Sequence, residues 1–123
     1  MADTKQERLV AILKELRKIG DIQGSSVISR DGLIIAADLS QDIDEETFAA
    51  MSAAMQGAAE TAVSELGRGA LNEIIIDAEK GKLVSIGAGE LAILVCISKR
   101  EVNLGLLRLE LNKVAKKITS VIG

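Results

Sequence analysis

The chain has 123 residues, 48% of them hydrophobic and 27% charged, and fifteen basic against eighteen acidic residues give a net charge of −3. That is the length and balance of one soluble globular domain spanning 1–123, and the excess of acid argues against a phosphate-backbone binder. There is no His, Trp, Tyr or Pro, and Phe48 is the sole aromatic, so imidazole acid–base chemistry, Cys/His nucleophile pairs, most transition-metal sites and base-stacking platforms are excluded together.

Taken in chain order, Leu9, Ile12, Leu13, Leu16 and Ile19 recur at helical spacing among Lys, Arg and Glu. The spacing predicts an amphipathic helix from about Thr4 to Ile19, stopped at Gly20. Asp31-Gly32 then lies between the apolar runs Val27 to Ser29 and Leu33 to Ala37, a hairpin signal because both turn residues tolerate positive φ. Ser25, Ser26 and Ser29 have no base partner in the sequence and read as polar strand positions. Asp42 and Asp44 offer caps for a second helix, Glu45 and Glu46 suit its positive end, and Ile43 with Phe48 forms a hydrophobic staple. This helix runs to about Leu66, where Gly67 and Gly69 break it. Glu73 to Ala78, a turn at Lys80-Gly81, Lys82 to Ile86, a turn at Gly87 to Gly89, and Leu91 to Ile97 make a three-stranded antiparallel meander. Because Leu91 to Ile97 is apolar throughout, this strand is expected to be central with both faces covered. A last helix from about Asn103 to Val121 turns Leu104, Leu107, Leu111, Val114, Ile118 and Val121 to one side.

The middle helix is the unusual element. From Thr47 to Ala59 it has no charged residue. Phe48, Met51, Met55, Ala58 and Ala62 form one stripe, and Ala50, Ala54 and Gly57 another. One sheet face buries one stripe, so a second copy of the helix, packed antiparallel about a twofold axis, is the expected cover for the other. If the strand Glu73 to Ala78 is a sheet edge, Ile74 and Ile76 join that interface by pairing with their twins. The competing account is that alanines merely favour helix and the domain covers both stripes itself. Charge is polarised as well: from Asp31 to Glu79 there are eleven acids and one base, Arg68, so an acidic central surface is available to steer a basic partner, unless those acids simply cap and solvate.

Catalytic constellations do not emerge. The glycine pairs lack the spacing of a phosphate-binding loop. Asp77 and Glu79 share a strand face without a converging partner and are expected to pair with Lys80 or Lys82. Cys96 lies in an all-apolar strand and reads as inert. The N-terminus does not resemble a secretion signal and no apolar run approaches membrane-spanning length, so a cytoplasmic protein without membrane insertion is expected. No enzyme activity, cofactor, metal or nucleic-acid partner is expected.

The order helix, two strands, helix, three strands, helix, together with Ile22 to Ala36 and Asn103 to Ile118, resembles the roadblock / dynein light chain family. The likeness rests on Gly24 followed eight residues later by Gly32 in the Asp31-Gly32 turn, and on Asn103-Leu104-Gly105 opening the last helix; with Gly81 these are the structural positions to watch. The resemblance implies an α/β domain of the α+β type: a five-stranded antiparallel sheet with the middle helix on one face and the terminal helices on the other. It also implies dimers joined through the middle helix and third strand, and a scaffold or regulator of small Ras-like GTPases, similar to the bacterial polarity-regulator type that stimulates its GTPase. No catalytic side chain carries over. The short, plain chain suggests a prokaryotic member. The alternatives are an adaptor subunit of a signalling or motility complex, a small-molecule sensor module, and, third, an enzyme.

Overall fold

A computed structural model describes residues 4–123, in the order α1 (Lys5–Arg17), β1 (Ile22–Ser29), β2 (Ile34–Asp38), α2 (Glu45–Glu65), β3 (Glu73–Ala78), β4 (Gly81–Ala88), β5 (Ala92–Ser98) and α3 (Leu104–Ile122). Each helix starts where a side chain satisfies a free backbone N–H. Thr4 and Glu7 form a reciprocal capping box on α1, Asp44 accepts from Thr47 N–H on α2, and Asn103 accepts from Leu106 N–H at 3.0 Å on α3, with Gly105 in the first turn.

The strands form one antiparallel sheet in the order β2-β1-β5-β4-β3. Helices α1 and α3 pack on one face over a cluster that includes Leu9, Leu13, Val27, Val84, Leu94, Leu111 and Ile118. Helix α2 packs on the other over a smaller cluster of Ile28, Ala49, Ile93 and Val95. As the apolar run predicts, β5 is central, with Ala92 to Cys96 buried from both sides. Leu91 is the exception: it lies in the β4–β5 turn and is 66% exposed.

Three local expectations change. In the β1–β2 connection only Gly32 takes a positive φ, 92°, while Asp31 does not, so the loop is not the two-residue turn that Asp-Gly suggests. Ser29 bridges it, its Oγ accepting from Leu33 N–H at 3.0 Å. The β3–β4 turn is Glu79-Lys80, and Gly81 is already a strand residue; likewise β4 continues through Gly87 to Ala88. Glycine is needed at position 81 for close approach: a Cβ there would lie 2.7 Å from the Ser98 carbonyl oxygen across the β4–β5 ladder. Gly81→Ala is therefore expected to cost about 1–3 kcal/mol through displaced strands, read as a lowered melting temperature. Gly24 is tight for the same reason, its missing Cβ facing the Asp38 carbonyl oxygen at 3.0 Å.

Candidate functional site

Only Ala49, Ser52 and Gln56 of α2 are buried, at the i, i+3, i+7 spacing of one narrow stripe. Two of these three are polar, which corrects the expectation that an apolar stripe faces the sheet. Gln56 has a specific partner: Ser85 Oγ of β4 donates to its Oε1 at 2.9 Å within the buried layer. Phe48 packs half-buried beside Ala49, whereas Met51, expected on the same stripe, is 68% exposed.

A second tether was not read from sequence. Arg30, at the end of β1, donates from Nη1 to both carboxylate oxygens of Glu60 at 3.0 and 2.9 Å and from Nη2 to the Gly89 carbonyl at 3.2 Å. One guanidinium thus joins α2 to both hairpin turns at that end of the sheet. The 49, 52, 56 spacing of two polar residues was a legible sign of an inward polar contact; nothing local marked Arg30 and Glu60, thirty residues apart.

The remainder of α2 faces outward. Ala50, Met51, Ala54, Gly57, Ala58 and Ala62 are exposed and Met55 is half-buried. The helix approaches β1 and β2 most closely, packs on Ile93 and Val95 of β5 and reaches Ser85 of β4 through Gln56, so β3 lies at the margin of the layer it covers. There the register places Ile74 opposite Ser85 and Ile76 opposite Leu83, which puts both isoleucines on the α2 side. Ile74 is half-buried and Ile76 is 40% exposed. Among the described residues β3 is an edge paired only with β4, so one row of its backbone donors and acceptors has no strand partner there. The residues selected from sequence as a self-interface therefore lie on one side of the molecule.

Acidic groups border this face. Asp42, Asp44, Glu45 and Glu46 are exposed around the start of α2. The Ser40 hydroxyl holds Asp42 below its ordinary value, and the Thr47 backbone N–H does the same for Asp44. Both stay ionised across the physiological range. Asp77 meets Lys82 Nζ at 2.9 Å as the hairpin pairing requires, whereas Glu79 leaves the strand and shares no face with it.

Cys96 points into the core, and burial pushes its thiol up to about 12. At pH 7 native Cys96 is expected to resist iodoacetamide that modifies the unfolded chain rapidly, a difference read by mass spectrometry. Reaction of the folded protein at the unfolded rate would contradict its placement. Among the described residues there is no cluster of three metal-ligating side chains, and no helix is long and apolar enough to cross a membrane.

Comparison with known proteins agrees with this architecture. The family model described as Roadblock/LC7 domain matches residues 9–98. Two uncharacterized proteins of Methanocaldococcus jannaschii are each 42% identical over 110 residues, covering 89% of this chain and 96% of each relative. Among solved structures, Myxococcus xanthus MglB superposes with a TM-score of 0.88 at 22% identity, covering 94% of both chains. A Roadblock/LC7 domain from Streptomyces avermitilis gives 0.86 at 16% identity, covering 92% of this chain and 96% of that one. At these identities the structural likeness speaks for the fold.

Proposed function

This chain belongs to the Roadblock/LC7 domain family, and on that premise we propose that it is a non-catalytic homodimeric scaffold that binds and regulates a small Ras-like GTPase. The observation that carries the reading is the pairing of an outward apolar α2 face with an unpaired β3 edge on the same side of the sheet. A twofold axis beside β3 joins the two sheets through their edges and lays the two α2 helices side by side, removing Met51, Ala54 and Ile76 from water. Small side chains at 50, 54, 57 and 58 let the helix backbones approach closely, and the methionines fill irregular gaps.

The acidic border at the start of α2 then supplies a field that speeds the approach of a partner with a basic docking surface. The GTPase assignment rests on family likeness, and the regulatory mode we take is shaping of the partner's own site. The packing of Phe48, Ala49, Ile28, Ile93 and Val95 between α2 and the sheet favours this reading over a sensor that encloses a ligand there. Capture of Ras-like GTPases from the same genome, loaded with GDP or a GTP analogue, tests it: nucleotide-sensitive binding is expected. Indifference to the nucleotide removes the regulatory part and leaves an adaptor.

A further inference from the structure

The two outer layers carry opposite charge. Helix α2 contains four acids and no base, whereas α1 and α3 together contain eight bases against three acids. The concentration is sharpest on the solvent side of α3, where Leu106, Leu109, Lys113, Lys116 and Lys117 fall within a sector of about 100° at 3.6 residues per turn. The opposite sector holds Leu107, Leu111, Val114, Ala115 and Ile118, all buried, so the outward leucines are not part of the core. Leu106 is 46% and Leu109 55% exposed. Among the described residues only Lys113 of the three forms an ion pair, with Glu110 at 3.7 Å; Lys117 borders the α1/α3 groove with Glu15 and Glu110 without pairing, and Lys116 forms no ion pair.

We propose that the α1/α3 face is a peripheral docking surface for an anionic lipid bilayer, with Lys113, Lys116 and Lys117 among the headgroups and Leu106 and Leu109 in the interfacial layer. Charge complementarity selects the occupant class, because unpaired lysines aligned on one helix face attract an anionic surface. The leucines narrow it: a lipid interface takes up aliphatic side chains beside snorkelling lysines, whereas a phosphate backbone has no use for them. Lys14 of the adjoining α1 is also exposed and adds to the field, whereas Lys18 is paired with Glu15 at 3.0 Å. The face lies across the sheet from α2, so it stays open whether or not the self-association proposed above occurs. In a dimer formed edge to edge, both copies would present this face on the same side, and the second contact would be effectively intramolecular.

Sedimentation of the purified protein with vesicles of phosphatidylglycerol and phosphatidylcholine, against phosphatidylcholine alone, tests the proposal. Binding is expected only to the anionic vesicles and to fall as NaCl rises. The Lys113→Glu, Lys116→Glu, Lys117→Glu triple variant should bind at least about tenfold more weakly, since each lysine at the surface counts. Leu109→Ser should weaken binding several-fold without altering its salt dependence. Circular dichroism checks that both variants fold, and a Lys116→Gln, Lys117→Gln variant carries the test if the triple one does not. Equal sedimentation with both vesicle types, wild-type affinity in folded lysine variants, or capture by duplex DNA or poly-glutamate where anionic vesicles fail would each overturn the proposal.

Discussion

Replacing Ala54 with glutamate is expected to convert a dimer in solution to a folded 13.0 kDa chain, with the helical and strand signal retained. Ala54 is exposed in the single chain, so the longer side chain meets solvent and the monomer tolerates it. Helix spacing places it beside Ala50 and Ala58, also exposed, at the centre of the outward stripe. Across a twofold axis one substitution acts twice, and two carboxylates enter an apolar seam that offers them no cation. An uncompensated buried charge costs about 3–5 kcal/mol, enough to shift a micromolar or weaker association out of reach at ordinary concentrations. Met55→Glu is the harsher companion, because Met55 is half-buried in its own chain and its loss also loosens the α2 layer. Light scattering with circular dichroism reads both outcomes; a folded Ala54→Glu dimer would move the self-interface away from α2.

What the sequence made legible follows how local each signal is. Helix starts were readable because a cap is decided within four residues: Thr4, Asp44 and Asn103 each satisfy a backbone N–H at N3. The central strand was readable because burial from both sides removes alternation, and Ala92 to Cys96 has none. Turn residues were read less well, since a glycine in sequence does not say whether its need is a positive φ or missing bulk. Gly32 answers to the first, Gly81 to the second. The inward side of α2 was misread because hydrophobic patterning assumes apolar residues face the sheet, whereas Gln56 reaches a serine of β4 twenty-nine positions away. Long-range polar pairs of this kind, Arg30 with Glu60 among them, carry no periodicity and become visible only when the topology brings the strands together. The outward apolar surface of α2, by contrast, was legible as an excess: from Thr47 to Ala59 the helix carries no charge, and only Ala49, Ser52 and Gln56 of it are buried against the sheet.

Leu111→Ala, on the opposite side of the sheet, is expected to lower the melting temperature by on the order of 10 °C or more, with no direct effect on self-association in chains that remain folded. Leu111 is 0% exposed and sits in the larger cluster, where α3 meets α1 and the sheet. Removing a buried leucine side chain costs about 2–5 kcal/mol in lost transfer energy and residual cavity, against a total stability of about 5–15 kcal/mol for a domain of this kind. The two halves of the molecule therefore fail differently. The α1/α3 side is held by a thick apolar cluster and loses stability when a core side chain is cut. The α2 side rests on four buried apolar residues and two polar tethers, Gln56–Ser85 and Arg30–Glu60, so in the proposed dimer it is expected to draw more of its stability from the partner helix. Hydrogen exchange separates the cases: in Leu111→Ala protection should fall across the whole sheet, whereas in monomeric Ala54→Glu it should fall first in α2 and β3. Equal loss of protection everywhere in the monomer would mean that α2 needs no outside cover, and that its apolar face has another use.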